Sequence, residues 1–181
     1  AGAQLVELGH AERRTIFAES DEFVATKVSS AVETGLMPLV CVGETLGQRR
    51  RGDATAEVVR QVRAALVAIA GAPGDVLVAY EPHWAIGSTG RAATPEEIAD
   101  VVDATRAELA DLLPTARTHI LYGGSVDAAN VRDLVMRSPI DGLFVGRAAW
   151  TANAYIDLAR ICAAAFETRS TGPARSHRKE R

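Results

Sequence analysis

The chain has 181 residues, with 20 Lys plus Arg against 23 Asp plus Glu and a formal net charge of −3. That length suits one sizeable core and gives no sign of two domains. The slight acidity lacks the basic footprint of a nucleic-acid binder, but a small acidic substrate needs only local positive groups.

The sequence opens on Ala1-Gly2-Ala3 without Met, and strand-like residues begin almost at once, as in the later part of a longer protein. Residues 5–8 read as a short strand that ends in Gly9-His10-Ala11-Glu12-Arg13-Arg14. Ser20 then caps a helix over 21–34, with Phe23, Val24, Val28, Ala31 and Val32 on one face and Gly35 closing it. A second strand over 36–42 leads into Gly43-Glu44-Thr45, and the run Arg49-Arg50-Arg51 is expected as a solvated loop. Asp53 is the expected cap of the next helix, whose stripe is Val58, Val59, Val62, Ala65, Leu66 and Ile69.

Residues 75–80 form a Val-rich apolar run of the kind that fills a buried parallel strand. Pro82 cannot donate to a sheet ladder, so the strand stops there and leaves Glu81 at its C-terminal edge. A Gly-rich loop through Gly87 and Gly90 follows. Thr94-Pro95-Glu96-Glu97 then opens a helix over 95–113, with Thr94 as cap and Glu97 in capping-box register. A strand over 119–122 breaks at Gly123-Gly124-Ser125, ahead of a helix expected over 127–136. The last strand, 140–145, ends at Gly146-Arg147, and the closing helix is expected over 153–166. A partial barrel is thus expected over 1–166 and a disordered basic tail over 167–181.

Strand and helix alternate about five times, which gives a parallel sheet of the α/β class. Cys41 and Cys162 sit in separate apolar runs and read as reduced core residues. No apolar stretch reaches the roughly 18 residues of a membrane span, and no signal peptide is visible, so the expected compartment is the cytoplasm, with no membrane and no nucleic acid as partners.

In such a sheet the strand C-termini open on one face, so His10, Glu81, Ser125 and Gly146 should converge there. A carboxylate on a strand end serves equally well as a structural ion-pair partner or as a proton abstractor. The loop carrying Gly87 and Gly90 favours the second role, because residues 87–91 could act as a lid that excludes water. A lone His is more often structural, yet opposite Glu81 His10 could donate a proton or polarise a carbonyl. His83 lies in the loop, His119 starts a strand instead of ending one, and His177 is in the tail. The breaks at Gly123-Gly124-Ser125 and Gly146 read as an anion site on successive strand ends.

Four stretches, Gly9-His10-Ala11-Glu12-Arg13-Arg14, Ala79-Tyr80-Glu81-Pro82-His83-Trp84-Ala85-Ile86-Gly87, Tyr122-Gly123-Gly124-Ser125-Val126 and Asp141-Gly142-Leu143-Phe144-Val145-Gly146, resemble the ordered signatures of the triosephosphate isomerase family. The resemblance covers nearly the whole chain to about Phe166. It implies a (β/α)₈ TIM barrel, incomplete here, with strands four to eight present. The Lys and Asn that the family places on its first strand cannot be assigned. It implies His10 as electrophile and Glu81 as base, the pairing familiar from that enzyme. It also implies that Gly87, Ser125 and Gly146 contact substrate phosphate; Arg147, which departs from the family pattern, could add charge to that site or crowd the backbone approach that Gly permits. Glu12 would be a buried supporting carboxylate, with Tyr122 and Gly124 in support. The implied reaction interconverts dihydroxyacetone phosphate and glyceraldehyde 3-phosphate through an enediolate, in a homodimer serving glycolysis and gluconeogenesis, without cofactor or metal.

The departures point toward relatives that isomerise four-carbon ketose phosphates. Ala11 stands where the family has Ser, and Ile86-Gly87-Ser88-Thr89-Gly90-Arg91 is one residue longer than the usual lid. His83 replaces a Val, Arg147 follows Gly146 where a second Gly is usual, and Glu7 occupies the strand before His10. The same chemistry on a tetrulose phosphate is therefore an alternative. A second alternative is an inactive fragment or decayed paralogue.

Overall fold

The structure is a computed structural model that describes residues 2–87 and 90–171. Five strands, β1 (Leu5–Leu8), β2 (Met37–Val42), β3 (Asp75–Tyr80), β4 (Arg117–Tyr122) and β5 (Gly142–Leu143), form one parallel sheet in sequential order. Parallel neighbours need long crossovers. Here these carry α1 (Ala11–Ile16) and α2 (Asp21–Glu33), then α3 (Leu46–Arg50) and α4 (Ala54–Leu66), then α5 (Pro95–Leu112), then α6 (Val131–Arg137). The helix α7 (Ala152–Thr171) follows the last strand.

Alternation along β2 shows how the sheet is covered. Val40 and Val42 join the main core with Val24 and Val28 of α2, Val58 and Val62 of α4, and Ile98 and Val102 of α5. Leu39 and Cys41 point the other way and form a second cluster with Ala79, against which Leu77, Leu121 and Phe144 pack. Both faces are apolar, which is why β2 and β3 read as continuous apolar runs.

Caps explain most helix starts. Ser20 Oγ accepts from the Phe23 N–H, and Thr94 and Glu97 close the expected capping box at α5. Four expectations are corrected. Asp53 makes no capping bond, because its carboxylate pairs with Arg51 instead. The helix expected from residue 127 begins at Val131, since Asp127 Oδ1 accepts from the Ala129 and Asn130 N–H groups and folds 127–130 into a turn. The last strand contracts to Gly142–Leu143, and at its entry the Asp141 carboxylate takes the Ile120 N–H at 2.8 Å in place of a backbone partner.

The fourth correction concerns the tail. Residues 167–171 continue α7 instead of opening a disordered segment, and Arg169 donates to the carbonyls of Val135, Ser138 and Ile140. Three otherwise open carbonyls around the end of α6 explain why the helix runs on. The rest of the expected tail, 172–181, lies outside the described residues. No described helix is long and apolar enough to cross a membrane. Cys41 and Cys162 are free thiols.

Candidate active site at the strand ends

β1 stops at Leu8, and Gly9 at φ 73° turns the chain so that His10 caps α1. The Glu12 N–H donates to His10 Nδ1 at 3.3 Å. A neutral ring with an accepting Nδ1 carries its proton on Nε2. That Nε2 lies 3.1 Å from Glu81 Oε2. Glu81 extends β3 by one step, its N–H donating to Val42 O at 2.7 Å, and is only 3% exposed. Among the described residues its Oε1 has no hydrogen-bond partner. The hydrogen bond to Glu81 raises the His10 pKa above its ordinary value, against the opposing effect of burial.

Gly43 makes this placement possible. A Cβ there would come within 1.9 Å of the Glu81 carbonyl oxygen, so only glycine lets the end of β2 pass so close to the residue carrying the carboxylate.

The pair opens on a cavity of about 800 Å³ that also touches Gly87, Ser125, Gly146 and Arg147. The residues expected from the sequence to contact substrate thus gather around one space. Arg147 is the only Lys or Arg lining it among the described residues. Tyr122 and Gly124 do not line the cavity, and Tyr122 packs in the main core. The Tyr122 hydroxyl accepts from the Ala93 N–H at 3.2 Å, and burial pushes its pKa up to about 12. A Cβ on Gly124 would approach that hydroxyl to 2.5 Å.

Glu12 departs from its expected role. It is exposed, not buried, because Ala11 is the residue of α1 that turns inward and Glu12 follows it at the rim of the cavity. Besides Glu81, the buried carboxylates among the described residues are Glu19 and Glu44. The helix terminus expected directly behind Ser125 is also displaced to Val131, so the backbone at 123–125 does not begin a helix. Ser125 instead holds the feet of the neighbouring loop: its Oγ donates to Ala85 O at 2.6 Å and lies 3.4 Å from Gly90 O. The expected lid spans Ser88 and Thr89, which lie outside the described residues.

Sequence reasoning missed a polar knot behind the site. Glu44 is fully buried and accepts from Trp84 Nε1 at 2.8 Å, Arg49 Nε at 2.9 Å and the Tyr80 hydroxyl. Arg49 therefore belongs to α3 and the interior, not to a solvated loop as expected. Arg91 stacks 4.4 Å above the Trp84 ring and pairs with Glu97, whose pKa falls to about 2 through that hydrogen bond. The available signal was positional: Glu44 follows β2 as Glu81 follows β3. His83 lies outside the cavity, its N–H donating to Glu44 O.

Glu7, Asp127 and Trp150 also line the cavity. Of these, Glu7 stands among the departures read from the sequence and Asp127 at the expected helix start, neither with a site role.

The model of the family "Triosephosphate isomerase" matches residues 1–163. Among curated proteins, the chain is 45% identical over 167 residues to an L-erythrulose-1-phosphate isomerase of Rhizobium meliloti (strain 1021), covering 90% of this chain and 64% of that protein. A protein of the same name from Rhizobium etli is 43% identical over 177 residues, covering 97% and 66%. Another, from Brucella abortus biovar 1, is 45% identical over 164 residues, covering 88% and 62%. The chain thus spans 62–66% of the length of these relatives. The match along nearly the whole sequence, with its motifs in order around one cavity, means that this chain belongs to the triosephosphate isomerase family.

Proposed function

We propose that, in the complete protein, this chain carries the proton-transfer site of an isomerase for a four-carbon ketose phosphate of the L-erythrulose 1-phosphate type. Its strands would be the fourth to eighth of a closed barrel. The observation that carries the reading is the 3.1 Å approach of His10 Nε2 to Glu81 Oε2 in the lining of a cavity that Arg147 also lines. The names of the relatives favour a four-carbon substrate over the triose pair expected from the motifs.

Such a substrate has phosphate on C1, a carbonyl at C2 and hydroxyls at C3 and C4. Glu81, whose Oε1 is free to accept, takes the proton from C3. The C3–H electron pair becomes the C2–C3 double bond, and the C2 oxygen takes up the negative charge. His10 Nε2–H donates to that oxygen. Return of the proton to C2 and loss of the C3 hydroxyl proton place the carbonyl at C3. Because C3 bears a carbon substituent, the product is again a ketose. Each positioned acid or base contributes on the order of 10²–10⁴-fold. Arg147 and the backbone near Ser125 and Gly146 hold the phosphate.

The test uses the complete protein with L-erythrulose 1-phosphate and dihydroxyacetone phosphate, and with Glu81→Gln. The expected result is a higher kcat/KM for the tetrulose phosphate and a loss of about 10²–10⁴-fold in Glu81→Gln, whose amide cannot accept a carbon-bound proton. Near-normal turnover in that variant would overturn Glu81 as base. Absence of turnover with both substrates in the unaltered protein would favour a non-catalytic relative.

A further inference from the structure

Glu7 is one of the cavity residues that the mechanism above leaves unused. In β1 it pairs in register with Leu39, which pairs with Leu77 of β3. Neighbours in such a row share a sheet face, and residues two or four apart along a strand share it too. Glu7 therefore projects from the same face as Glu81, four positions beyond Leu77, and both line the cavity. Its charge acts on His10 and Glu81 alike. Among the described residues nothing donates a hydrogen bond to its carboxylate. Partial burial raises its pKa first, and the Glu81 charge adds to that, while His10 opposes it.

An exposed carboxylate that lines a substrate cavity, feels the charge of a second carboxylate and has no donor among the described residues can accept a hydrogen bond from a hydroxyl group. The two candidate substrates differ by one such group. On the reacting carbon, dihydroxyacetone phosphate carries hydrogen where the tetrulose phosphate carries hydroxymethyl. That substituent must lie beside Glu81, because Glu81 removes the proton from the same carbon.

We propose that Glu7 sets specificity for the fourth carbon, its carboxylate accepting a hydrogen bond from the hydroxymethyl hydroxyl on the reacting carbon. The assignment rests on the isomerase reading above. A site built to bond a hydroxyl discriminates strongly against the analogue that lacks it, because the polar group is then left without a partner.

The experiment compares the complete protein with Glu7→Leu and Glu7→Gln. The first readout is the ratio of kcat/KM for L-erythrulose 1-phosphate to that for dihydroxyacetone phosphate. Glu7→Leu should lower this ratio on the order of 10–100-fold, whereas Glu7→Gln, which keeps an acceptor oxygen, should stay within about tenfold of the unaltered protein. The second readout is calorimetric binding of erythritol 4-phosphate and glycerol 3-phosphate, which cannot isomerise. Glu7→Leu should erase the preference for the four-carbon compound. If both ratios survive Glu7→Leu, or if both substrates suffer equally, the assignment of Glu7 falls while the isomerase reading stands. If the unaltered protein turns over neither substrate yet shows a four-carbon binding preference that depends on Glu7, the isomerase reading falls and the role of Glu7 stands.

Discussion

Nε2 of His10 lies 3.1 Å from Oε2 of Glu81, although β2 separates the strands that these residues follow. The hydrogen bond favours the charged imidazole, so the folded protein holds the His10 proton to higher pH than an unfolded chain does. Its stabilising contribution is complete below the unfolded value of about 6.5 and fades as pH rises through the raised folded value. Activity runs the opposite way, because a cationic His10 keeps Glu81 engaged. The kcat/KM of the complete protein should therefore rise along an acid limb centred above about pH 6.5, and His10→Gln should remove that limb. A limb centred near pH 4 in the unaltered protein would show that the pair does not control the free enzyme.

Arg147 lines the cavity as its only described Lys or Arg. Arg147→Met should raise KM for a phosphorylated substrate on the order of tenfold or more, with a smaller change in kcat, and should weaken competitive inhibition by inorganic phosphate. Unchanged inhibition by phosphate would assign the arginine to another task.

Gly43 tests whether the position of Glu81 matters as much as its identity. Gly43→Ala would force a methyl group to within 1.9 Å of the Glu81 carbonyl, so β2 and β3 must part locally. A shift near 1 Å at a reacting group costs about 10²-fold in rate. Steady-state kinetics on the folded variant should show that loss, and activity within threefold of normal would mean that the strands adapt elsewhere.

Ala18 offers a stability prediction away from the site. Its φ of 53° lies in the left-handed region, where a Cβ is strained. Ala18→Gly should relieve that strain and stabilise the complete protein by about 0.5–1 kcal/mol, offset in part by the freer unfolded chain. A denaturant midpoint that moves down would show that the alanine methyl group contributes more than the backbone strain costs.

Much of the fold was legible because its signals are local. Thr94 and Glu97 announce the start of α5, and the alternation of apolar runs announces a parallel sheet. The pairing of His10 with Glu81 was legible only because both residues end strands, which topology gathers on one side. What escaped was set by distant partners. Asp53 has the right residue type for a cap, but Arg51 takes its carboxylate. Arg49 looks solvated in its basic run, and only Glu44, Tyr80 and the Glu97 carbonyl draw it inward. Glu12 looked buried by analogy, yet the turn of α1 leaves it at the rim. The extension of α7 to Thr171 depends on three carbonyls that Arg169 meets far away in sequence.

The knot around Glu44 ties together the end of β2, α3, the last residue of β3 and the foot of the loop that follows it. A carboxylate buried with three donors does not tolerate the loss of one partner as a surface charge does. Viable change here has to be concerted: Glu44, Arg49, Tyr80 and Trp84 can be exchanged as a block but not piecemeal. Glu7 and Arg147 carry no such obligation. Evolution, or an engineer, can therefore rewrite the substrate end of this scaffold one residue at a time while inheriting the mounting of Glu81 whole.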